Sequence, residues 1–286
     1  MSVITISRQM GSMGEEIGQA VAQETHYEYM DKNRIAEALR KFGLQPLEIE
    51  SFDEKKPPFW DYMSIQRKKY LLILQTLIYE LAGKDHMVIV GRGGQVLLKG
   101  LPGVLHVRIV APFAIRIQRI LERGARDQKE AAEVLRRSDR DSSGFIRGYF
   151  DADWEDPDLY DLIINTRSLS VDAAARMILE SVHSLEIQDE GKKVQEKLAD
   201  LALVQKVEAA LLVVLGSGLR QIKISAEKGV VSLEGTVPSN ILKEDCQGAV
   251  AQIKGVTRVE NRLSVPDYYG RIEAIMDQSR HGGKKL

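Results

Sequence analysis

Ile6-Ser7-Arg8-Gln9-Met10-Gly11-Ser12-Met13-Gly14-Glu15-Glu16-Ile17 sets a β-branched run, a glycine-bearing turn and a helix-compatible segment in succession. Such a junction binds phosphate when loop amides and the positive end of the helix converge on one anion. The lysine of a Walker loop is missing, and Glu15 stands where a cation is expected. On the pattern alone, phosphate binding and a turn whose glycines serve geometry only are equally admissible. Cations follow downstream: Arg92, then Arg116, Arg119 and Arg123 at helical spacing, then Arg136, Arg137, Arg140 and Arg147. A planar guanidinium binds phosphate oxygens bidentately and keeps its charge, so a set of them can neutralise a transferring phosphoryl group. The interspersed Glu122, Asp127, Glu130, Glu133, Asp139 and Asp141 allow the plainer reading of a solvated helix face with its own ion pairs. The five histidines are dispersed without metal-ligand spacing, so metal ligands stay unassigned and no histidine base is proposed.

The elements that must position these residues alternate. Val3–Ile6 predicts a strand and the pattern Ile17, Ala20, Val21 a helix. Met87–Val90, the Gly91-Arg92-Gly93-Gly94 turn and a helical start over Gln95–Lys99 repeat that plan. Val104–Val110 predicts a third strand, Phe113–Arg123 a helix, Tyr160–Asn165 a further strand and Val171–Ser184 a helix. Continuous apolar strands alternating with helices predict an α/β domain on a parallel sheet covered on both faces. Lys55-Lys56-Pro57-Pro58-Phe59-Trp60 interrupts the helical region between the first two units and is expected to be a mobile or substrate-covering insertion.

The polar stretch Glu186–Lys197 separates a second set of elements. A helix carrying Leu198, Leu201, Val204, Val207 and Leu211 is followed by alternation at Ile222–Ile224 and Val231–Val237, a Lys228-Gly229 turn between them, a helix over Ser239–Ile253 and a strand over Val256–Val265. The expected organisation is a first domain over 1–185, a linker over 186–196, a small α-β-β-α-β domain over 197–266 and a frayed tail over 267–286.

Composition sets the outer limits. With 286 residues, 44% hydrophobic and 28% charged, the chain is globular, which excludes disordered and fibrous classes. Forty Lys and Arg against 41 Asp and Glu leave no overall field to gather nucleic acid. Residues 1–190 hold 25 basic and 30 acidic side chains, and residues 191–286 hold 15 and 11, so the sign changes where the pattern changes. A single cysteine, Cys246, and an amino terminus without a basic-then-apolar leader lead to the expectation of a cytoplasmic protein.

Taken together, these residues resemble the cytidylate-kinase-like branch of the nucleoside monophosphate kinases over about the whole first domain. The anchors are Ile6–Ile17, Tyr29-Met30-Asp31-Lys32, Val90-Gly91-Arg92, Ala111-Pro112 with Arg116 and Arg119, and Asp153-Trp154 through Tyr160–Thr166. The resemblance implies a P-loop kinase fold, ATP with Mg2+ as donor, and transfer of the γ-phosphate to a nucleoside monophosphate such as CMP. It implies that Gly11, Ser12 and Gly14 cradle donor phosphates, that Arg92 holds the acceptor phosphate, and that Arg116, Arg119 and Arg123 lie near the lid. Asp139, Arg140 and Arg147 would complete the acceptor or transition-state contacts. The sequence departs from the branch at several positions: Met13 stands where glycine is usual, Glu15 where a basic residue is usual, Asp31-Lys32-Asn33 lacks the small residues that follow the aspartate in cytidylate kinases, and Gly93 stands where they carry aspartate.

The run Gly229–Val237 with Ile253–Leu263 resembles a BON domain over about residues 195–266. That implies an interaction or regulatory module whose partner is a small ligand, a protein or a membrane surface. The expected function is a nucleotide kinase governed by this module; the alternative is a non-catalytic nucleotide sensor with a degenerate phosphate loop.

Overall fold

The computed structural model describes residues 2–52, 65–184 and 191–266, so the proline-bearing insertion at 55–60 and the tail from 267 lie outside the described residues. The first unit opens with β1 (Val3–Arg8), α1 (Gly14–Thr25), β2 (Glu28–Met30), α2 (Lys32–Lys41), α3 (Pro46–Phe52) and α4 (Ile65–Gly83). It continues with β3 (Met87–Val90), α5 (Gly94–Leu97), β4 (Val104–Val110), α6 (Phe113–Glu122), α7 (Gln128–Phe150), β5 (Leu162–Asn165) and α8 (Val171–Ser184). The five strands are all parallel in the order β2-β3-β1-β4-β5. This is the α/β arrangement expected from the alternation of elements.

Period-two packing divides the core into two layers. Ile4 and Ile6 of β1 join Ile17 and Val21 of α1 and Ala174 and Ile178 of α8 on one face. Val3, with Met87 and Ile89 of β3, joins Tyr70, Leu74 and Ile78 of α4 on the other. Thr5 Oγ1 and His106 Nδ1, 2.7 Å apart in the middle of the sheet, satisfy one another. Burial lowers the pKa of His106, so this central imidazole is held neutral. Two elements escaped the sequence reading. β2 is an edge strand of three residues, too short to show a period; α7 is a 23-residue helix capped by the Asp127 carboxylate, which accepts from Glu130 N at 2.8 Å.

By compactness the chain divides between Gln205 and Lys206, later than the polar stretch suggests. The reason lies in α9 (Gly191–Leu215), whose Val194, Leu198 and Ala202 are buried in the α4-side core of the first unit. A run that reads as polar in sequence thus carries a helical apolar stripe. The second unit holds β6 (Ile222–Glu227), β7 (Val230–Thr236), α10 (Asn240–Ala251) and β8 (Arg258–Ser264). β7 pairs antiparallel with β6 through the Lys228-Gly229 turn and parallel with β8. Val231, Leu233, Cys246, Val250 and Leu263 are buried, while Arg262 on the other face of the sheet reaches Glu234 and Glu260 at 3.3 and 2.6 Å.

Leu198 is fully buried in the first unit. Leu198→Ala is expected to lower the stability of the full chain by about 2–4 kcal/mol. Chemical denaturation followed by the fluorescence of the first unit's two tryptophans, Trp60 and Trp154, checks this, and an unchanged midpoint would contradict the placement of α9 in that core.

Candidate phosphate-binding site

Parallel strands deliver their carboxyl ends to one edge of the sheet, and ligands of open α/β sheets bind outside that edge. There β1 runs into the 9–13 loop, β2 into Asp31 and Lys32, β3 into Gly91-Arg92-Gly93, β4 into Ala111-Pro112 and β5 into Thr166. β1 lies between β3 and β4, so its loop is central. Gln9 N donates to Ile109 O at 3.0 Å and Ser12 N to Gln9 O at 3.1 Å, which closes the turn. Met13, at φ 64°, turns the chain into α1 with no side-chain cap. The first-turn amides of α1 therefore have no intrahelical acceptor and point out of the helix end. Gly14 is required by contact: a β-carbon there would stand 2.9 Å from Arg8 Cγ and nearer still to its Cβ.

The loop carbonyls are held from beneath. Arg116 Nη1 approaches Met10 O at 3.4 Å, Arg119 Nη1 donates to Gly11 O at 3.0 Å, and Thr166 Oγ1 donates to Ser12 O at 2.9 Å. Arg116 is itself buried and clamped bidentately by Asp139 of α7, with both contacts at 2.9 Å. Arg119 also spans Thr166, donating to its Oγ1 at 3.0 Å and to its carbonyl at 2.7 Å. Arg116 and Arg119 thus lie under the 9–13 loop, in contact with its carbonyls. Ser12 Oγ is buried and finds no hydrogen-bond partner among the described residues.

Above the loop opens a cleft of about 450 Å3 lined by Gly11, Gly14, Arg8, Lys32, Arg123 and Arg137, with Ser138, Asp141 and Ser142 of α7 on its far wall. Glu15 pairs with Arg8 at 3.4 Å, and Glu16 pairs with Arg123. Glu15, which stands in place of a base in the first turn of α1, is therefore set against the cation at the end of β1. Tyr29 donates to Glu15 O at 3.4 Å; burial, then Glu15 and Asp31, push its phenol up to about 12, so it stays neutral. Arg137, 77% exposed at its side chain, faces the cleft with Asp141 at 3.8 Å, whereas Arg140 lies on the flank of α7 with Arg126 and Arg136. Arg147 is exposed on the last turn of α7 and lines neither cleft.

Arg92 sits apart. It is 1% exposed in a left-handed conformation at φ 60°, enclosed by Phe145, Ile146 and Trp154 with about 20 Å3 of free space. That volume admits a water and not a phosphate. Burial, then the charge of Arg8, push its guanidinium down to about 9, which leaves it cationic at neutral pH. Gly93 is at φ 73°, and a β-carbon there would stand 2.7 Å from Phe150 Cζ, so a side chain at this position strains the backbone and displaces the Phe150 ring. Sequence reasoning missed the network that holds this wall: Trp154 Nε1 donates to Ser7 Oγ at 2.8 Å, and Arg108 stacks on the Trp154 ring at 4.4 Å while donating to Trp154 O and Tyr160 Oη. It also missed Arg8 and Thr166, whose roles depend on contacts remote in the chain.

Residues fit for an anionic phosphate chain are thus present: uncapped helix amides, a buried hydroxyl without a partner and a cation-lined cleft. Among the described residues no group of three His, Cys, Asp or Glu is placed to hold a metal, and no helix is long and apolar enough to cross a membrane.

A sequence profile of the cytidylate kinase-like family matches residues 3–168, and one of the BON domain matches residues 199–267. The cytidylate kinase of Natronomonas pharaonis is 25% identical over 189 residues, covering 66% of this chain and 93% of that protein. A uronate isomerase of Corynebacterium glutamicum is 27% identical over 100 residues, which are 35% of this chain; the chain spans 19% of that protein's length. An uncharacterized protein from Eubacterium ventriosum shares the fold, with a TM-score of 0.52 at 20% identity over 64% of this chain and 99% of that one.

Gly93→Ala is expected to cost roughly 2–4 kcal/mol, from the left-handed backbone and the collision with Phe150. In a Phe150→Ala background the same substitution is expected to cost at least about 1 kcal/mol less. A double-mutant cycle by urea denaturation measures this, and strict additivity would refute the contact.

Proposed function

The chain belongs to the cytidylate kinase-like family, and from that premise we propose that it transfers the γ-phosphate of ATP, bound with Mg2+, to a nucleoside monophosphate, CMP being the first candidate. The observation that carries this reading is the uncapped start of α1 beneath a cleft of about 450 Å3 ringed by Arg8, Lys32, Arg123 and Arg137. Gly11, Ser12 and Gly14 would cradle the donor phosphates, with Ser12 Oγ available to donate to one of them. Arg8, Arg123 and Arg137 would neutralise charge, exchanging their present carboxylate partners for phosphate oxygens. The magnesium would be held chiefly by those phosphate oxygens and would offset their charge during transfer.

Arg92 would receive the acceptor phosphate. An acceptor oxygen would attack the γ-phosphorus while the bond to the β,γ-bridging oxygen breaks, giving a nucleoside diphosphate and ADP. Positioning and charge neutralisation suffice for this, with no covalent intermediate on the protein. Because Arg92 lies under Phe145, Ile146 and Trp154, acceptor entry requires that wall to move. Asp139 serves this scheme through Arg116, and Arg140 and Arg147 are assigned no phosphate contact in the present arrangement. The enclosure of Arg92, with Glu15 and Glu16 occupying cleft cations, also favours a second reading: a nucleotide sensor that binds without turnover. Under either reading the BON unit is an interaction or regulatory module for a small ligand, a protein or a membrane surface, and the protein works in the cytoplasm where its nucleotides are.

The test is a panel of CMP, UMP, AMP and GMP with MgATP, following diphosphate formation. One monophosphate is expected to be converted, and Arg92→Ala to lower kcat/KM for it by about 100-fold or more. MgATP binding without diphosphate formation from any acceptor would replace the kinase reading with the sensor.

A further inference from the structure

We infer that Thr166 is a positioning residue of the phosphate loop, acting with Arg119, and that its hydroxyl sets donor affinity without touching the donor. The inference rests on the donor-site reading above. In a trans peptide the carbonyl of one residue and the N–H of the next point in opposite directions, and no peptide bond among the described residues is cis. Whatever holds a loop carbonyl from below therefore aims the following amide the other way. Thr166 Oγ1 holds Ser12 O at 2.9 Å, which directs the Met13 amide away from the sheet edge and toward the cleft that Met13 lines. Arg116 at Met10 O does the same for the Gly11 amide. Arg119 at Gly11 O is matched by the Ser12 amide, which bonds Gln9 O and closes the turn.

The direction of the Thr166 bond is itself determined. A guanidinium has donors only, so Arg119 Nη1, 3.0 Å from Thr166 Oγ1, uses the hydroxyl as acceptor and leaves its proton for Ser12 O. The second Arg119 nitrogen fixes the Thr166 carbonyl at 2.7 Å, which pins the residue where β5 ends. Val110 O, at 3.3 Å from the same hydroxyl, is the longer alternative acceptor. Thr166 is wholly buried, so it reaches a ligand only through the loop it holds. Its separation from Ser12 is 154 residues, and α6 supplies the arginine between them, so loop geometry depends on β1, α6 and the end of β5 assembling together.

Thr166→Val keeps the β-branched shape but strips the donor from Ser12 O and the acceptor from Arg119. Calorimetric titration of the full chain with MgATP is expected to show dissociation constants about tenfold higher for Thr166→Val and within about twofold of wild type for Thr166→Ser. Hydrogen exchange of the unliganded protein is expected to quicken at the Ser12 amide, whose bond to Gln9 O closes the turn, in Thr166→Val while strands β1 and β4 keep their protection. Wild-type affinity and loop exchange in Thr166→Val would overturn the inference and leave the donor site standing. Faster exchange throughout the sheet, with Thr166→Ser no better than Thr166→Val, would make Thr166 a stability residue only and likewise overturn it. A wild-type chain that does not bind MgATP would overturn the donor site and this inference together.

Discussion

Three consecutive carbonyls, those of Met10, Gly11 and Ser12, face the buried Arg116 and Thr166 and the half-buried Arg119, and the rest of the first unit is arranged so that those donors are there. A glycine-bearing loop has many conformations, and selecting one costs entropy of order 1–2 kcal/mol per residue. Guanidinium and hydroxyl groups in a buried, low-dielectric layer oppose that cost more strongly than the same bonds in water. The donors come from α6, which follows β4, and from the end of β5. The strand order β2-β3-β1-β4-β5 brings both next to the loop of β1. Were β4 and β5 elsewhere in the sheet, the loop would have no floor.

α7 ties the remaining parts to this floor. Its Asp139 clamps Arg116, its Ser138, Asp141 and Ser142 wall the cleft over the loop, and its Phe145, Ile146 and Phe150 close over Arg92 and Gly93. One helix therefore touches the loop support, the cleft above the loop and the enclosed arginine. The charges follow the same economy. Glu15 and Glu16 are set against Arg8 and Arg123, and each pair has at least one partner open to water, where ion pairs are weak. Arg92, in contrast, is almost wholly buried, and burial pulls its pKa toward 9.

Much of this was legible in the sequence because its causes are local. β3 is a continuous apolar run and β4 a largely apolar one that also carries His106 and Arg108, and the expected bounds of both match the structure, as do those of α8. The turn residues Gly11, Ser12 and Gly14 lie where the strand-loop-helix pattern puts them. What was not legible depends on distance along the chain. Nothing near Thr166 announces a bond to Ser12, and no spacing rule tells that Arg116 and Arg119 point down while Arg137, one turn from Arg140, points into the cleft. Glu15 stands in sequence where a cation is expected, and nothing in the spacing tells that Arg8, seven residues earlier at the end of β1, is its partner. Val194 looked like linker because its apolar neighbours in space belong to α4 and β3. Gly93 marked a departure whose meaning appeared only when Phe150 was found above it.

The most direct test of the central claim is a titration of the 15N-labelled full chain with MgATP, followed at the backbone amides of Gly11 and of Met13 through Glu16. The account predicts that these resonances shift together along one saturating curve. Saturating shifts that leave the loop and the start of α1 unmoved would contradict it, since the donor would then bind somewhere other than the carbonyl-supported cradle.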